Sequence, residues 1–278
     1  MPVLRRNVLP GFRLTLGYTL FYLSLIVLIP LAALAIKTAS LSWRDIVGTV
    51  TDERVRSAYV LSIGAAMISA AINGVFGLIV AWALVRYRFP GRKIFDAIVD
   101  LPFALPTAVA GITFGNLFMD MPAFLSDMDP GKNPNRDWYA VTLMMVFVGL
   151  PFVIRTVQPV LQDWETDTEQ AAMSLGARPI TIFRRIIFPA ILPAWISGVA
   201  LSFARCVGEF GSLIFVSRNL PGRSEIAPLV ITQKLIMDEG DGKMVAQATA
   251  IGLVLLLISL GILLVLNAID YLARRHER

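Results

Sequence analysis

Cysteine, histidine and charged side chains are all scarce in this sequence of 278 residues. The chain has one cysteine, Cys206, and one histidine, His276, which lies in a basic tail. One cysteine excludes an intramolecular disulfide, and one residue of each kind is too few for a zinc cluster and argues against a Cys–His catalytic pair. We therefore expect neither enzyme activity nor a bound metal.

A nucleotide-binding signature is also missing. The phosphate loop G-x-x-x-x-G-K-[ST] does not occur, because the Gly-Lys pairs at 131–132 and 242–243 are followed by asparagine and methionine. We expect no cofactor on this chain, and any ATP on which it depends is expected to bind elsewhere.

Charged residues make up only 16% of the chain, whereas 56% of residues are hydrophobic and the mean hydropathy is +0.69. This composition indicates that lipid is the main solvent. The net charge of +5 comes from basic residues spread over several loops, so we expect no nucleic-acid partner.

Long uncharged runs dominate the chain. A helix needs roughly 20 apolar residues to cross a bilayer core of about 30 Å. The runs near this length cover residues 14–36, 57–85, 101–119, 138–154, 186–204 and 244–269. They predict an all-α polytopic membrane protein with about six transmembrane helices. Two alternatives stay open: residues 226–237 dip into the membrane, or residues 14–36 are a cleaved signal peptide, although that run exceeds the usual apolar core of about 7–15 residues.

The basic stretch between the second and third runs sets the expected orientation. It contains Arg86, Arg88, Arg92 and Lys93. Basic residues close to membrane spans favour the cytoplasmic side. We expect both termini in the cytoplasm and the stretch 120–137 outside.

Small residues and prolines mark the second and third runs. Four-residue spacing relates Ser62, Ala66, Ala70 and Gly74, and it also relates Gly111 and Gly115. This spacing favours close helix packing, with the lining of a solute path as the alternative. Pro102 and Pro106 predict a break in the third helix, which either helix geometry or transport would explain.

The stretch 162–189 has helix start and stop signals of its own. Thr166 and Glu169 match a capping box at the start of a short helix. Gly176 is placed to end that helix, and Pro179 to begin another. The alanines at 171 and 172 would let the first helix enter a narrow groove on another protein. The alternative is an amphipathic helix that rests on anionic headgroups.

This stretch resembles the EAA loop of ABC-importer permeases, whose pattern is E-A-A, three residues, G, nine residues, I, one residue, L-P. The corresponding residues are Gln170, Ala171, Ala172, Gly176, Ile186 and Pro189. Gln170 replaces the glutamate of the pattern, and Phe188 replaces its leucine. The resemblance implies a loop that docks into an ATP-binding subunit, with Glu169 as part of the contact.

Longer stretches resemble the T-type permease subunit of sulfate and thiosulfate importers. They cover residues 8–12, 86–92, 100–111, 155–161, 201–205 and 208–211. The resemblance implies the type I permease fold and sulfate or thiosulfate as the solute. Molybdate permeases resemble the chain at 208–211, so a molybdate or tungstate permease is the alternative, and residues 100–111 favour sulfate.

The resemblance also implies an assembly in a bacterial inner membrane. Its other members would be a second related permease, a dimer of ATP-binding subunits and a periplasmic sulfate-binding protein, surrounded by membrane lipid. ATP would be used by the partner ATPase. The chain would then divide into residues 1–56 (N-terminal segment, first transmembrane helix and external loop), 57–270 (importer transmembrane domain with the coupling loop 162–189) and 271–278 (basic cytoplasmic tail).

Two charged residues lie where the fifth run continues beyond residue 204 towards Ser217. Arg205 and Glu209 are four residues apart, so they share a helix face and can pair. Charges at this depth normally face the bundle interior or a water-filled path. With Gly208 and Gly211, which would let the helix unwind and present N–H groups to an anion, they form the predicted substrate path. A fixed ion pair that holds helices together is the alternative.

A secondary transporter is the rival function. Such a protein is expected to show inverted repeats and a buried ion site. The sequence shows no clear repeat, and a single Arg–Glu pair is thin evidence for an ion site.

Overall fold

The structure, a computed structural model, describes residues 11–119 and 136–275. Within these ranges the ordered elements are helices. In chain order they are α1 (Phe12–Ala39), α2 (Trp43–Thr51), α3 (Glu53–Arg86), α4 (Arg92–Val99), α5 (Leu101–Ala104), α6 (Thr107–Met119), α7 (Arg136–Gln162), α8 (Asp167–Ser174), α9 (Pro179–Ile182), α10 (Phe188–Val207), α11 (Leu213–Val216), α12 (Ala227–Ile236) and α13 (Lys243–Arg275).

Five helices in the described ranges are long and apolar enough to cross a membrane. They are α1, α3, α7, the continuous helix Pro179–Val207 that contains α9 and α10, and α13. This confirms the polytopic all-α prediction. The predicted boundaries after residues 56 and 270 lie inside α3 and α13, and the division of the chain stays a prediction.

The third predicted span forms two shorter helices instead of one. Pro102 lies in the first turn of α5, where a missing N–H costs little. Leu105 has extended angles, φ −83° and ψ 133°, because the ring of Pro106 disfavours a helical residue before it. The 13 residues of α6 cover only about 20 Å, less than a bilayer core. The apolar stretch near residue 230 likewise forms a short helix, the ten-residue α12.

Helices α3, α7 and α10 pack together at the centre of the described structure. Leu61, Met144 and Phe203, one from each helix, are each 1% exposed or less. The predicted small-residue row of α3 lies in this core, and its member Ser62 accepts a hydrogen bond of 2.8 Å from the Ala227 N–H of α12. The most apolar window of α1, in contrast, has no buried residue, which suits a helix surrounded by lipid.

The Gly111 and Gly115 pair brings α6 directly onto the backbone of α11. A Cβ atom at Gly111 would lie 2.3 Å from the carbonyl oxygen of Ser212, and one at Gly115 would lie 2.6 Å from that of Phe215. Backbone atoms cannot move aside as a flexible side chain can. These two glycines therefore serve helix packing, as the four-residue spacing predicts.

Adding a methyl group at this contact should destabilise the protein. We expect Gly111→Ala and Gly115→Ala each to cost about 1–3 kcal/mol, the usual range for overpacking a tight contact. The measurement is the thermal unfolding midpoint of the purified protein in detergent. Gly17→Ala is the matched control, because no atom lies within 4 Å of a Cβ there. Equal midpoints for Gly111→Ala and Gly17→Ala would contradict the packing role.

Candidate functional site

The coupling loop, residues 162–189, folds as the predicted helix, glycine turn and second helix. Gly176 follows α8 with a positive φ of 80°. Its N–H donates to the Met173 carbonyl at 2.9 Å, and the Ala177 N–H donates to the Ala172 carbonyl at 3.0 Å. These two bonds form a Schellman motif, whose left-handed residue is least strained when it is glycine.

The predicted capping box at the start of α8 is wrong. Thr166 has helical backbone angles instead of the extended angles of an N-cap, and its side chain makes no capping hydrogen bond. Glu169 turns towards the membrane helices and forms an ion pair with Arg86, the last residue of α3. A guanidinium binds a carboxylate through two charged hydrogen bonds, which a single backbone N–H cannot match.

One face of α8 is open to solvent. Gln170 and Ala171 are exposed, and so are Met173 and Leu175, the last with 89% of its surface accessible. Ala172 is half-buried and packs against the hydrophobic cluster at this end of the helices. Among the predicted docking residues, Gln170 and Ala171 therefore face outwards and Ala172 faces inwards. The large apolar side chains of Met173 and Leu175 add to the exposed face. Exposed apolar patches often mark surfaces that a partner protein covers.

The remaining predicted docking residues, Ile186 and Pro189, lie in the stem that joins the loop to α10. After α9, which begins at Pro179 as predicted, the chain forms a π-helical turn, Phe183–Ile187. Ile186 packs against the same hydrophobic cluster as Ala172, and Pro189 occupies the first turn of α10. These two residues hold the loop to the membrane helix.

The predicted pair of Arg205 and Glu209 is present at the end of α10. Arg205 Nη1 lies 2.5 Å from Glu209 Oε2, with the arginine side chain 34% exposed and the glutamate side chain 2% exposed. The other carboxylate oxygen, Oε1, accepts the N–H and the hydroxyl of Ser212 at 3.1 and 2.9 Å. Glu209 is thus held on both sides, and Arg205 keeps an accessible edge.

Helix α10 ends beside this pair, where Gly208 and Gly211 were predicted to let it unwind. Gly208 caps α10, and a Cβ at Gly211 would lie 2.6 Å from Thr107 Oγ1. Backbone N–H groups of Gly208, Glu209 and Ser212 already donate to protein oxygens. An anion at this break would therefore meet the Arg205 guanidinium rather than these three N–H groups.

A second charged cluster connects α7 with the α4–α5 segment, and sequence reasoning did not predict it. Arg155 donates to both carboxylate oxygens of Asp100 at 2.8 and 2.6 Å, and to Asp96 Oδ1 at 2.7 Å. Burial works to raise the pKa of Asp96, but hydrogen bonds from Arg155 and Gln158 outweigh it, so the pKa is lowered. Arg155 and Asp100 are 55 residues apart, and no spacing rule relates positions that distant.

This cluster faces open space. The side chains of Arg155, Asp96 and Asp100 are 30%, 41% and 49% exposed. Arg155 lies about 10 Å along the helix from the loop end of α7. Charged side chains avoid lipid, so those of this cluster face water or another protein chain.

Two further arginine pairs lie at the opposite end of the helices. Arg54 binds Glu225, whose side chain is 1% exposed, with Nη2 to Oε1 at 2.5 Å. Arg218 binds Asp137 with Nη2 to Oδ2 at 2.8 Å. Asp137, which was expected in an external loop, is buried in the first turn of α7. The rest of that loop, residues 120–135, and His276 lie outside the described residues.

Known proteins resemble this chain over nearly its whole length. Residues 73–278 match the family described as binding-protein-dependent transport system inner membrane component. A sulfate transport system permease protein of Salmonella typhimurium is 43% identical over 97% of this chain and 96% of the relative. The corresponding protein of Synechococcus elongatus is 46% identical over 94% and 92%, and that of Escherichia coli is 42% identical over 95% and 94%.

Solved structures agree on the fold. A bacterial ABC transporter that imports the acidic polysaccharide alginate contains a chain with a TM-score of 0.69, 14% identity and 95% coverage of both chains. A bacterial alginate ABC transporter in complex with an alginate pentasaccharide-bound periplasmic protein has a chain with a TM-score of 0.69, 14% identity and 93% coverage of both chains. This chain has the type I ABC-importer permease fold, and it belongs to the family of binding-protein-dependent transport system inner membrane components.

Proposed function

We propose that this chain is the transmembrane permease subunit of an ATP-driven importer of sulfate or thiosulfate. The observation that carries the proposal is the similarity, over nearly the whole chain, to sulfate permeases of three bacteria at 42–46% identity. The chain forms the solute path and itself binds no cofactor. A dimer of ATP-binding subunits hydrolyses the ATP.

The Arg205–Glu209 pair is the proposed solute-contacting part of the path. A dianion needs a positive charge within the membrane, and Arg205 has an accessible guanidinium edge beside a helix break. Glu209 neutralises that charge when the path is empty, which removes the cost of an isolated charge at this depth. Gly208 and Gly211 lie at the break and shape its backbone.

The coupling loop is the proposed contact with the ATP-binding subunits. The exposed face around Gln170, Ala171 and Leu175 offers small and apolar groups to a groove of the partner. ATP binding would close the partner dimer and pull on this loop, turning the path outwards; hydrolysis would reset it. A second related permease and a periplasmic sulfate-binding protein complete the assembly in a bacterial inner membrane, with both termini of this chain in the cytoplasm.

Solute competition tests the assigned cargo. In proteoliposomes that hold the complete complex, radiolabelled sulfate uptake should require ATP and should be suppressed by excess unlabelled sulfate or thiosulfate more strongly than by molybdate. Stronger suppression by molybdate would favour the molybdate or tungstate alternative. Uptake driven by an ion gradient without the ATP-binding subunit would instead show a secondary transporter.

Neutralising both members of the Arg205–Glu209 pair tests the solute contact. Removing Arg205 alone would leave the buried Glu209 without its counter-charge, so we use Arg205→Gln with Glu209→Gln, which avoids a lone buried charge. Loss of a charged hydrogen bond to the anion should lower uptake about tenfold or more. Thermal midpoints in detergent report the fold.

The matched control is Arg54→Gln with Glu225→Gln, a pair of nearly equal exposure whose arginine lies in the first turn of α3. It should reduce uptake less than the neutralised Arg205–Glu209 pair. Normal uptake in the Arg205–Glu209 double variant would establish the alternative, a fixed ion pair.

Leu175→Asp tests the docking face. The exposed Leu175 side chain would be covered by the ATP-binding subunit, so a charge there should weaken retention of that subunit about fivefold or more during purification. Membrane insertion of the permease should not change. Unchanged retention with weaker binding to anionic vesicles would support the alternative of a helix that rests on headgroups.

A further inference from the structure

We propose that Glu169 and Arg86 form an internal tie through which movement of the coupling helix α8 reaches the membrane helices α3 and α10. Glu169 is then a positioning residue rather than a contact with the ATP-binding subunit. The inference rests on the proposed function of the coupling loop. It gives the Glu169 carboxylate a partner within the permease, Arg86.

The tie is a two-pronged ion pair in a half-buried place. Two guanidinium nitrogens of Arg86, Nη1 and Nη2, donate to the two carboxylate oxygens of Glu169. The side chains are 18% and 15% exposed, less than either charged partner in the Arg155 cluster. Reduced contact with water makes such a pair stronger and less sensitive to salt than a surface pair. It joins residues 83 positions apart, so it links α8 to the end of α3 directly.

The arginine of this tie also rests on an aromatic ring. The Arg86 guanidinium carbon lies 5.1 Å from the centre of the Trp82 ring, one turn earlier on α3. The Trp82 ring meets Phe183 edge to face, with ring centres 5.3 Å apart. Phe183 is the first residue of the π-helical turn below α10. A displaced Glu169 would therefore act on α3 and on the foot of α10 together.

The contacts continue from the foot of α10 to the middle of α3. Phe183 contacts Phe188, and Phe188 contacts Trp195, in both cases with ring centres 5.9 Å apart. The Trp195 indole N–H donates to the Gly74 carbonyl at 2.7 Å. Aromatic rings have few rotamers and fill their space, so this series of contacts transmits a shift rather than absorbing it.

The π-helical turn, Phe183–Ile187, lies on this route at the foot of α10. Its last hydrogen bond runs from the Phe188 N–H to the Phe183 carbonyl, one residue further than in an α-helix. Single π-turns inside α-helices occur frequently at functional sites.

The outward residues of α8 are left to the partner. Gln170 and Ala171 are exposed, whereas Glu169 is engaged with α3. The uncharged Gln170 occupies the position where the EAA pattern has glutamate. Glu169 thus binds α3 while its helix neighbours Gln170 and Ala171 stay open to a partner.

Coupling stoichiometry tests the tie. The complete complex in proteoliposomes is prepared with the wild-type permease, with Glu169→Gln, and with the exchanged pair Arg86→Glu and Glu169→Arg. Retention of the ATP-binding subunit, ATP hydrolysis and sulfate imported per ATP are measured, together with thermal midpoints. The matched control is Arg88→Gln, which removes a neighbouring exposed basic charge.

Glu169→Gln should retain the ATP-binding subunit and hydrolyse ATP, but sulfate imported per ATP should fall about fivefold or more, the lower end of typical coupling effects. The exchanged pair should restore most of this ratio, and Arg88→Gln should leave it unchanged. A normal ratio in Glu169→Gln would overturn the proposal. An exchanged pair that restores the thermal midpoint without the ratio would overturn it as well, since the tie would then be structural alone.

A direct contact between Glu169 and the partner would give a different result from the tie. Loss of the ATP-binding subunit from Glu169→Gln, not reversed in the exchanged pair, would show that contact and would overturn the tie. Absence of ATP-dependent sulfate uptake by the wild-type complex would refute the proposed function. In that event subunit retention in the same variants still tests the tie, which predicts that Glu169→Gln keeps the ATP-binding subunit as the wild type does.

Discussion

Pairing between arginine and carboxylate is the interaction on which the described helices depend, because a charge taken out of water must find its counter-charge within the protein. The buried carboxylates Asp137, Glu209 and Glu225 are each bound by an arginine. Arginine suits this role because its planar fork binds both carboxylate oxygens and stays charged. Without the arginine, each of these acids would be a lone charge in an apolar bundle.

These pairs also join segments that are far apart in the sequence. Arg54–Glu225 and Arg218–Asp137 join segments 171 and 81 residues apart at one end of the helices. Arg86–Glu169 and the Arg155 cluster join α3 to the coupling loop and α7 to the α4–α5 segment at the other. The Arg205–Glu209 pair lies where α10 breaks, with the glutamate held by Ser212. Ion pairs therefore join segments at both ends of the helices, with a charged, accessible break between them.

Sequence patterns predicted the local features well and the partners of charged side chains poorly. Gly176 ends its helix as expected, since a left-handed residue after a short helix favours glycine whatever surrounds it. Arg205 and Glu209 pair as expected, because four residues along a helix bring side chains together. Glu169, in contrast, forms an ion pair with Arg86 instead of the predicted capping box. The Arg155 cluster was not anticipated, since no local rule relates residues on different helices.

The sequence by itself determined that the chain lies in a membrane and is helical, because long apolar runs enter lipid and lipid requires internally bonded backbone. It also determined where helices start or stop, because proline and glycine restrict or free the backbone at their own positions. Only the tertiary structure decided that α6 is a short helix pressed by Gly111 onto the backbone of α11, and that one face of α8 is free while Glu169 is tied inwards. The reason is physical: burial, close contact and charge pairing depend on which helices become neighbours, and that arises from packing the whole bundle at once.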